Sequence, residues 1–592
     1  MNLVNYNTFK RCIYLVILFT LAGCAGGVNM LPTLSEKTAP TKNQGVVVVR
    51  VINASSYPLP FNQVTITPKN LNESKKIKPS RLQALPVATT NSTVFSASVV
   101  SGSYSLDSIR AFHIRGDYMY SRWIGADAQF GTFNVEPGKI ADLGTIIYYP
   151  KPQKDKYLNT TLRKPSSQSS DILGDYFPFY SFNQEQVTTW SEDEYQEDRD
   201  ALYASIAQNP VTFNTDYLAP DNSIYFVGKL GVILKRTANK EWELDAVDTD
   251  LDLSSISQNN QGDLIIGGDE GAVFFKQNNG EWQNISTASS HHVEEVYFND
   301  VGDIELITRE ETKLHVLTKS LRELNSAWIT LATYDSVAGW KDGSGNIQTI
   351  SQVKKTVSKK SKAKRIVSAV INKVDNIRTI TVTQQSMREN FAFGTGASTT
   401  YVFAPDTWVV SKYEKDTGVS SIFDAGVVKL GVEYAGYWSL SGKSTYYKKD
   451  LDTRTWEKIS TRIKSCQTNY ELSGNFCLST NSKAKVKAKK ESFNFTSVPW
   501  FSSNTDATAI VSFSDYNFWS GKRSNEIKIV KTNDAGKTWR ITDLELPSEF
   551  CTRLISKVKD SLLLSCNGTS SDFYESSDFG KSWQHVREHE SF

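Results

Sequence analysis

Few residue groups in this sequence have the types and spacing that chemistry requires. Gly-Lys-Ser/Thr occurs at Gly442, Gly536 and Gly580, but the glycine that a phosphate-binding loop needs five positions earlier is missing each time. His585 and His589 have the i, i+4 spacing of a metal site on a helix, but a frayed tail explains them more simply. Neither G-x-S-x-G nor H-E-x-x-H occurs. We therefore expect no cofactor, no bound metal and no recognisable catalytic residue.

Two short lysine-rich segments are the features that point to binding. The net charge of the whole chain is only +2, so the basic charge is local and nucleic acid is not an expected partner. In the second segment the lysines alternate with Ala484, Val486 and Ala488, which predicts a strand with one basic face. We predict that these segments bind an acidic protein or an anionic polymer; the alternative is two solubilising hairpins without a partner. The candidate binding residues are Lys355, Lys360, Lys362, Lys485, Lys487 and Lys489.

The N-terminus has the pattern of a bacterial export signal. Lys10 and Arg11 precede an apolar stretch that is shorter than a membrane-spanning helix of about 20 residues and ends in Leu-Ala-Gly-Cys24. This ending resembles the lipobox of bacterial lipoproteins; the alternative is an ordinary signal peptide with a chance cysteine. The resemblance implies a signal peptide over residues 1–23 and a lipid on Cys24 that anchors the chain in the cell envelope. Because Ala25 follows, it also implies the outer membrane in a Gram-negative cell.

The remaining chain is too long for one hydrophobic core, so several domains are expected. Residues 24–44 are predicted to be a flexible tether. Short β-branched segments over residues 45–150 predict a small antiparallel β-sandwich. Its last hairpin, around Pro137-Gly138, resembles that of immunoglobulin- or prealbumin-like modules of bacterial lipoproteins. Residues 151–207 predict a polar linker with a short acidic helix, because Ser191 and Glu194 form a capping box.

Residues 208–592 contain a repeated motif. Segments 532–539 and 576–583 both fit Ser/Thr-x-Asp-x-Gly-x-Ser/Thr-Trp. The motif resembles the Asp-box, or BNR repeat, of sialidase-type β-propellers. In that motif the aspartate bonds the turn amides, the glycine takes a positive φ and the tryptophan packs between blades. The residues in these roles would be Asp534, Gly536, Trp539, Asp578, Gly580 and Trp583.

Weaker copies extend the repeat over the whole region. Segments 231–242 and 271–282 resemble the degenerate repeats of Ycf48-like propellers. Tryptophans recur at intervals of about 40 residues, the length of a four-stranded blade, and two intervals near twice that length indicate insertions. The predicted fold is therefore all-β: a sandwich followed by a seven-bladed β-propeller, with six or eight blades as the alternatives. The anchors are Trp242, Trp282, Trp328, Trp408, Trp456, Trp539 and Trp583.

Four cysteines lie outside the signal peptide and the lipid site, and an even number in an exported chain suggests two disulfides. They occupy matching places on the hairpins of the sixth and seventh repeats, where cross-strand neighbours are close enough to bridge. The repeat therefore predicts the pairs Cys466–Cys477 and Cys551–Cys566.

These features predict an interaction protein: a propeller, tethered to the membrane through Cys24, that offers one face to an envelope partner. The Ycf48-like resemblance implies an assembly-factor role. One alternative is a glycan-processing enzyme with its site at the propeller centre. The Phe/Tyr-Arg-Ile-Pro segment of sialidases is missing, however, and the nearest sequence, at 112–115, lies in the sandwich region. Another alternative is that the sandwich binds within a larger envelope assembly. The oligomeric state stays open.

Overall fold

The computed structural model describes most of the chain after its first 28 residues. The described residues are 29–55, 61–69, 78–85, 92–115, 118–125, 131–153, 156–164, 177, 179–180, 187–189, 197, 201, 204, 213–346, 364–374, 377–386, 397–416, 432–438, 444–450, 456–465, 470–473, 476–497, 499–503, 505–517, 522–548, 551, 553–555, 558, 561–566 and 572–587.

The N-terminal region is a sandwich of two β-sheets. The first sheet contains, in spatial order, Asn29–Leu31, Ser80–Gln83, Phe61–Lys69, Gly102–Arg115 and Tyr118–Gly125, with Phe133–Val135 paired to Gly102–Arg115. The second sheet contains Lys156–Lys164, Ile140–Gln153, Gln44–Asn53 and Ser92–Val100, with Val187–Thr189 paired to Ile140–Gln153. Most pairs are antiparallel as predicted, but the two central strands of the second sheet are parallel. The chain reaches the second of them only after completing the first sheet, so they are not joined by a hairpin.

The central strand that starts at Gln44 is buried on both faces. Val47 and Val49 lie in the core between the two sheets. Val46 and Val48 point to the opposite face, where Leu34 belongs to the cluster that covers them. A run of valines has no polar face, so this sequence is stable as a strand only when both faces are covered.

Two predicted boundaries are wrong. The predicted tether, residues 24–44, contains the strand Asn29–Leu31, which pairs in parallel with the edge strand Ser80–Gln83. The predicted linker, residues 151–207, contains Lys156–Lys164, which pairs along its whole length with Ile140–Gln153. Both segments are short or polar strands at a sheet edge, where the hydrophobic pattern that reveals a strand is weak.

Helical residues within the predicted acidic helix are Glu197, Ala201 and Ala204, and all three are exposed. Its predicted capping residues, Ser191 and Glu194, lie outside the described residues. Within the part of the chain that the structure describes, no helix has the length and apolar character needed to cross a membrane.

Residues 213–587 form a series of antiparallel sheets, most of which follow the chain from inner to outer strand; we number the main ones sheet 1 to sheet 7. Sheet 1 contains Phe213–Leu218, Ile224–Gly228, Val232–Arg236 and Trp242–Ala246, and sheet 2 contains Leu253–Gln258, Leu264–Gly268, Val273–Lys276 and Trp282–Asn284. Sheet 3 contains His292–Phe298, Ile304–Arg309, Lys313–Lys319, Ile329–Asp335 and Gly339–Asp342. Sheet 4 contains Lys364–Val374, Ile377–Ser386, Ala397–Phe403 and Val410–Asp416.

The remaining sheets follow the same order. Sheet 5 is Val432–Trp438, Ser444–Asp450 and Trp456–Ile459; in sheet 6, Asn494–Phe495 and Trp500–Phe501 pair with Ala507–Asn517, followed by Lys522–Thr532 and Arg540–Ile541; and sheet 7 is Arg553–Ile555, Leu562–Cys566, Asp572–Ser576 and Gln584–Arg587. Two small sheets lie between sheets 5 and 6, namely Arg462–Ser465 with Lys489–Ser492, and Tyr470–Ser473 with Phe476–Ser479 and Lys485–Lys487.

Apolar clusters connect neighbouring sheets and join the last sheet to the first. Val227 of sheet 1 shares a cluster with Ile266 of sheet 2, Phe275 of sheet 2 with Val296 of sheet 3, and Val316 of sheet 3 with Ile380 of sheet 4. Further along the chain, Ile459 of sheet 5 shares a cluster with Val511 of sheet 6, and Ile510 of sheet 6 with Leu564 of sheet 7. Sheet 7 then packs on sheet 1, where the rings of Phe573 and Phe226 are 5.1 Å apart. A series of antiparallel sheets whose last member packs on its first is a β-propeller, so the predicted fold class is confirmed.

The anchor tryptophans occupy one equivalent position in every sheet. Each begins an outer strand or precedes it by one or two residues. A cation lies over four of the rings. The pairs are Arg236 over Trp242 at 5.8 Å, Lys276 over Trp282 at 5.4 Å, Lys319 over Trp328 at 5.0 Å and Arg378 over Trp408 at 5.0 Å. The number of blades stays a prediction, because of the two small sheets between sheets 5 and 6 and the three strands described in sheet 5.

The sandwich packs against the turns that join the second and third strands of sheets 1 and 2. Leu230, in the turn of sheet 1, belongs to one buried cluster with Ile52 of the sandwich. In the matching turn of sheet 2, Glu270 accepts hydrogen bonds from Arg50, at 2.6 Å, and from Ser92. An apolar contact and an ion pair therefore fix the sandwich to sheets 1 and 2 of the propeller.

Candidate functional site

The second predicted lysine segment is part of an exposed hairpin, residues 476–492, which we call the basic hairpin. Phe476–Ser479 pairs with Lys485–Lys487, and Lys489–Ser492 pairs with Arg462–Ser465. All lysines between residues 483 and 490 are exposed, whereas Ala488 is buried. The lysines therefore do not lie on one continuous strand: Lys485 and Lys487 belong to a strand of three residues, and Lys489 begins a second strand in the other small sheet.

One face of this hairpin is both basic and apolar. Lys485 and Lys487 lie opposite Leu478 and Phe476, and residues that pair across antiparallel strands share a face. The ammonium of Lys485 is 4.1 Å from the centroid of the Phe476 ring, within the range of a cation–π interaction. Phe476 and Leu478 are each 41% exposed, and Val486 on the other face is 46% exposed. The sequence predicted the charges but not these exposed apolar partners.

The positive charge of the basic hairpin is only partly neutralised. Lys489 forms an ion pair with Glu491 at 2.6 Å. Among the residues that the structure describes, no carboxylate pairs with Lys485 or Lys487. Two lysines beside exposed apolar side chains are thus available to an acidic, partly apolar surface.

The first lysine segment, with Lys355, Lys360 and Lys362, lies outside the described residues. It lies between sheet 3, which ends at Asp342, and sheet 4, which begins at Lys364. Beyond its end, the amide of Ile366 donates to the carbonyl of Glu311 at 2.8 Å.

The first repeated turn has the hydrogen bonds expected of its sequence. Asp534 accepts from the amide of Thr538 at 2.8 Å and from its hydroxyl at 2.6 Å. Gly536 has a φ of 84°, a backbone conformation that favours glycine. Trp539 is buried, and its ring lies 5.2 Å from that of Phe495. These side chains stabilise a hairpin turn.

The second repeated turn has the same construction. Asp578 accepts from the amide of Ser582 at 2.9 Å, and Gly580 has a φ of 95°. Hydrogen bonds from the hydroxyl and amide of Ser582 hold the pKa of the Asp578 carboxyl well below its usual range. The indole of Trp583 donates to the carbonyl of Glu545 at 2.8 Å. An exposed carboxylate held in this way stabilises a turn.

One of the two predicted disulfides is fully described. Cys551 and Cys566 are bonded, which ties the start of sheet 7 to the end of its second strand. Cys477 is also disulfide-bonded. Cys466, its predicted partner, and Cys24, the predicted lipid site, lie outside the described residues.

A hydrolase with its site at the propeller centre would need paired carboxylates on the inner strands. In sheets 1 to 3, the three carboxylates that these strands carry each have a polar partner within their own or a neighbouring sheet. The pairs are Asp216 with Arg553 at 2.9 Å, Glu294 with Arg309, and Glu295 with Ser255 at 3.4 Å.

A groove of about 600 Å³ between sheets 1 and 2 was not predicted. Tyr225, Trp282 and Asp245 are among its lining residues. Lys276 and the Trp282 indole both donate to Asp245, at 2.8 and 3.0 Å. Burial opposes ionisation of Asp245, but these two hydrogen bonds outweigh it and lower the pKa of the carboxyl. The repeated spacing of a cation six residues before tryptophan, at Arg236 and at Lys276, is the only sequence signal for this arrangement.

Comparison with known proteins finds only solved structures of low similarity to this chain. No protein-family model and no curated protein matches it. A Ycf48 bound to a D1 peptide is 13% identical with a TM-score of 0.35, covering 61% of this chain and 91% of that one. Ycf48 from Cyanidioschyzon merolae is 11% identical with a TM-score of 0.36, covering 61% and 96%. BamB from Moraxella catarrhalis is 10% identical with a TM-score of 0.31, covering 60% and 94%. At these scores the fold assignment rests on the sheet topology of the chain itself.

Proposed function

We propose that this chain is a lipid-anchored interaction protein of the bacterial envelope whose basic hairpin binds an acidic protein partner. The observation that carries the proposal is the exposed face on which Lys485 and Lys487 stand beside Phe476 and Leu478. Such a face offers what a specific protein interface needs: apolar area to bury and charge that selects the partner.

The geometry favours a protein over a purely anionic polymer. A polymer held by charge alone needs only lysines, whereas here Phe476 and Leu478 beside the lysines are each 41% exposed. Aromatic side chains such as Phe476 are enriched in protein interfaces. We expect charge to set the rate of association and the apolar pair to set the lifetime of the complex.

Site-directed photocrosslinking of the full chain in its own cells would test this proposal. A photoreactive amino acid at Leu478, on the face that carries Lys485 and Lys487, is expected to crosslink to one defined protein, and the same label at the exposed Lys581 in the second repeated turn is not. The double change Lys485→Glu and Lys487→Glu is expected to reduce the crosslink by about tenfold or more, because it reverses two charges at the interface.

The matched control is Lys537→Glu with Lys581→Glu, which makes the same change of net charge at two exposed turn positions. The proposal predicts no loss of crosslink in this control. Equal loss in both double variants would mean that net charge alone matters, and a label at Leu478 that finds no defined partner would contradict the proposal for the basic hairpin.

The lipid anchor at Cys24 is the second part of the proposal and has an independent test. It is supported by the Leu-Ala-Gly-Cys sequence that ends the apolar N-terminal stretch. Metabolic labelling with an alkyne fatty acid is expected to mark the wild-type chain and not a Cys24→Ala variant, and outer-membrane fractions should lose the variant. Equal labelling of both chains would contradict lipidation at Cys24, whatever the crosslinking shows.

A glycan-processing activity receives no specific support. The carboxylates described on the inner strands of sheets 1 to 3 are engaged with Arg553, Arg309 and Ser255. No second candidate function is therefore put forward.

A further inference from the structure

Two histidines and a glutamate converge at the turn between the second and third strands of sheet 3. His292 pairs with Arg309, so continuing the register by one residue places His291 beside Glu310. His315 is two residues into the next strand and lies on the same side. One ligand-type atom from each of His291, Glu310 and His315 lies within 4.8 Å of the others.

From this geometry we propose that His291, Glu310 and His315 bind a divalent transition-metal ion, for which zinc is the natural probe. Two imidazoles and one carboxylate are a ligand set that suits zinc and its neighbours, with one position left open. The two imidazole rings are nearly parallel, with 13° between planes and 5.2 Å between centroids, so they stand side by side at the edge of the same turn.

The distances allow coordination with small side-chain movements. Three atoms that are at most 4.8 Å apart lie no more than about 2.8 Å from their common centre. Zinc bonds to nitrogen and oxygen are about 2.0–2.2 Å long, so each ligand would need to move by less than about 1 Å. His315 Nε2 and Glu310 Oε1 are already 2.7 Å apart, sharing a hydrogen that a metal ion would replace.

The backbone around the three residues is fixed by other contacts. His292, next to His291, is buried and hydrogen-bonded through Nδ1 to the buried Asp269 of sheet 2. The amide of Glu310 donates to the carbonyl of Lys313 at 3.0 Å, which closes the turn. Ligands on such a braced turn need little reorganisation when an ion binds.

A positive charge lies close to the three proposed ligands. Lys313 works against binding, because its ammonium lies 3.4 Å from Glu310 Oε1.

The alternative is a hydrogen-bonded cluster without a ligand. In that case His315 and Glu310 form the functional contact, and His291 only stacks on His315. The two interpretations differ in what His291 does, since only a metal site needs its ring nitrogen.

Calorimetric titration of the full chain with zinc, after chelator treatment and without a histidine tag, would test the proposal. We expect one equivalent to bind with a dissociation constant of about 10 µM or tighter. His291→Ala and His315→Ala should each weaken binding by at least tenfold, since each removes one of three ligands. Lys313→Gln should tighten it by about threefold or more, because it removes a nearby positive charge.

Control and spectroscopic measurements complete the test. His585→Ala with His589→Ala removes two histidines outside the proposed site and should leave the affinity unchanged. Electron paramagnetic resonance of the Cu²⁺ form should show two nitrogen ligands in the wild type and one in His291→Ala. No binding at 100 µM zinc, or an affinity and copper spectrum that His291→Ala leaves unchanged, would overturn the proposal.

Discussion

Replacing Glu575 with Gln is expected to weaken the contact that closes the propeller. Glu575 lies in sheet 7 and accepts from Arg236 of sheet 1 at 2.6 Å and from Lys240 at 3.1 Å. It also accepts from Ser561 of its own sheet. The side chains of Glu575 and Arg236 are only 9% and 6% exposed, so water cannot replace the lost charge interaction.

The magnitude follows from this burial. Removing one partner of a buried ion pair typically costs about 3–5 kcal/mol, because the other charge stays buried without compensation. Gln keeps a carbonyl oxygen for one hydrogen bond, so we expect a loss of about 2–3 kcal/mol. Asp216→Asn at the second closing pair, Asp216 with Arg553, should cost only about 1 kcal/mol, since these side chains are 17% and 30% exposed.

Guanidinium-induced unfolding at pH 7 would measure the loss in free energy of unfolding. Hydrogen exchange of the amides in sheets 1 and 7, measured separately, would locate it. Hydrogen bonds and the charge of Arg236 outweigh the effect of burial and lower the pKa of Glu575 below its usual 4.5. A lowered folded-state pKa stabilises the fold above about pH 4.5, and this stabilisation is lost as the pH falls through the folded-state pKa. The difference between wild type and Glu575→Gln should therefore shrink at pH 3.5.

A double-mutant cycle with Arg236→Met separates the pair from its surroundings. We expect the double variant to be less destabilised than the sum of the single changes by about 2 kcal/mol, since it leaves no unpaired buried charge. A variant Glu575→Gln that unfolds at the wild-type denaturant concentration at pH 7 would refute the reasoning. So would a difference that is the same at pH 7 and pH 3.5.

Three further predictions concern neighbouring contacts. Cys566→Ser, which breaks the bond to Cys551, should cost about 3 kcal/mol for a loop of 15 residues, measurable as a lower denaturation midpoint; reducing agent should lower the midpoint of the wild type by at least as much, because it also breaks the disulfide of Cys477. Phe573→Ala should cost about 3–5 kcal/mol, because the ring is fully buried at the closure, and unchanged stability would contradict that packing. Glu270→Gln should leave Arg50 without its 2.6 Å carboxylate partner and increase hydrogen exchange at the sandwich contact but not in sheet 6.

The sequence was informative where one local pattern determines one local structure. In the turns around Asp534 and Asp578, the hydrogen-bonded residues are only a few positions apart in the sequence, so the motif predicts the bonds. The anchor tryptophans likewise lie at the start of outer strands. The disulfide Cys551–Cys566 followed from the same repeat. Each of these features depends on neighbours within about 15 residues along the chain, which a single sequence reveals.

The features that escaped prediction depend on partners far apart in the chain. His291 and His315 become neighbours only through the register of three strands, and Glu270 meets Arg50 across 220 residues. The exposed Phe476 looks in sequence like a core residue of a hairpin. Spacing carries no signal for such contacts, because they arise when separate elements pack.

The ring closure also constrains the order in which this protein can be made. Arg236 and Glu575 are separated by 339 residues, so sheet 1 cannot pack on sheet 7 until the last strands have left the ribosome. Until then the apolar side of sheet 1, with Phe213 and Phe226, has no sheet to cover it. Contacts of such long range form slowly, and an unpaired apolar sheet is prone to aggregate. The sandwich and its contact with Leu230 need only residues from the first half of the chain, so they can form long before sheet 7 is synthesised. The sandwich can therefore hold sheet 1 while the remaining sheets are made.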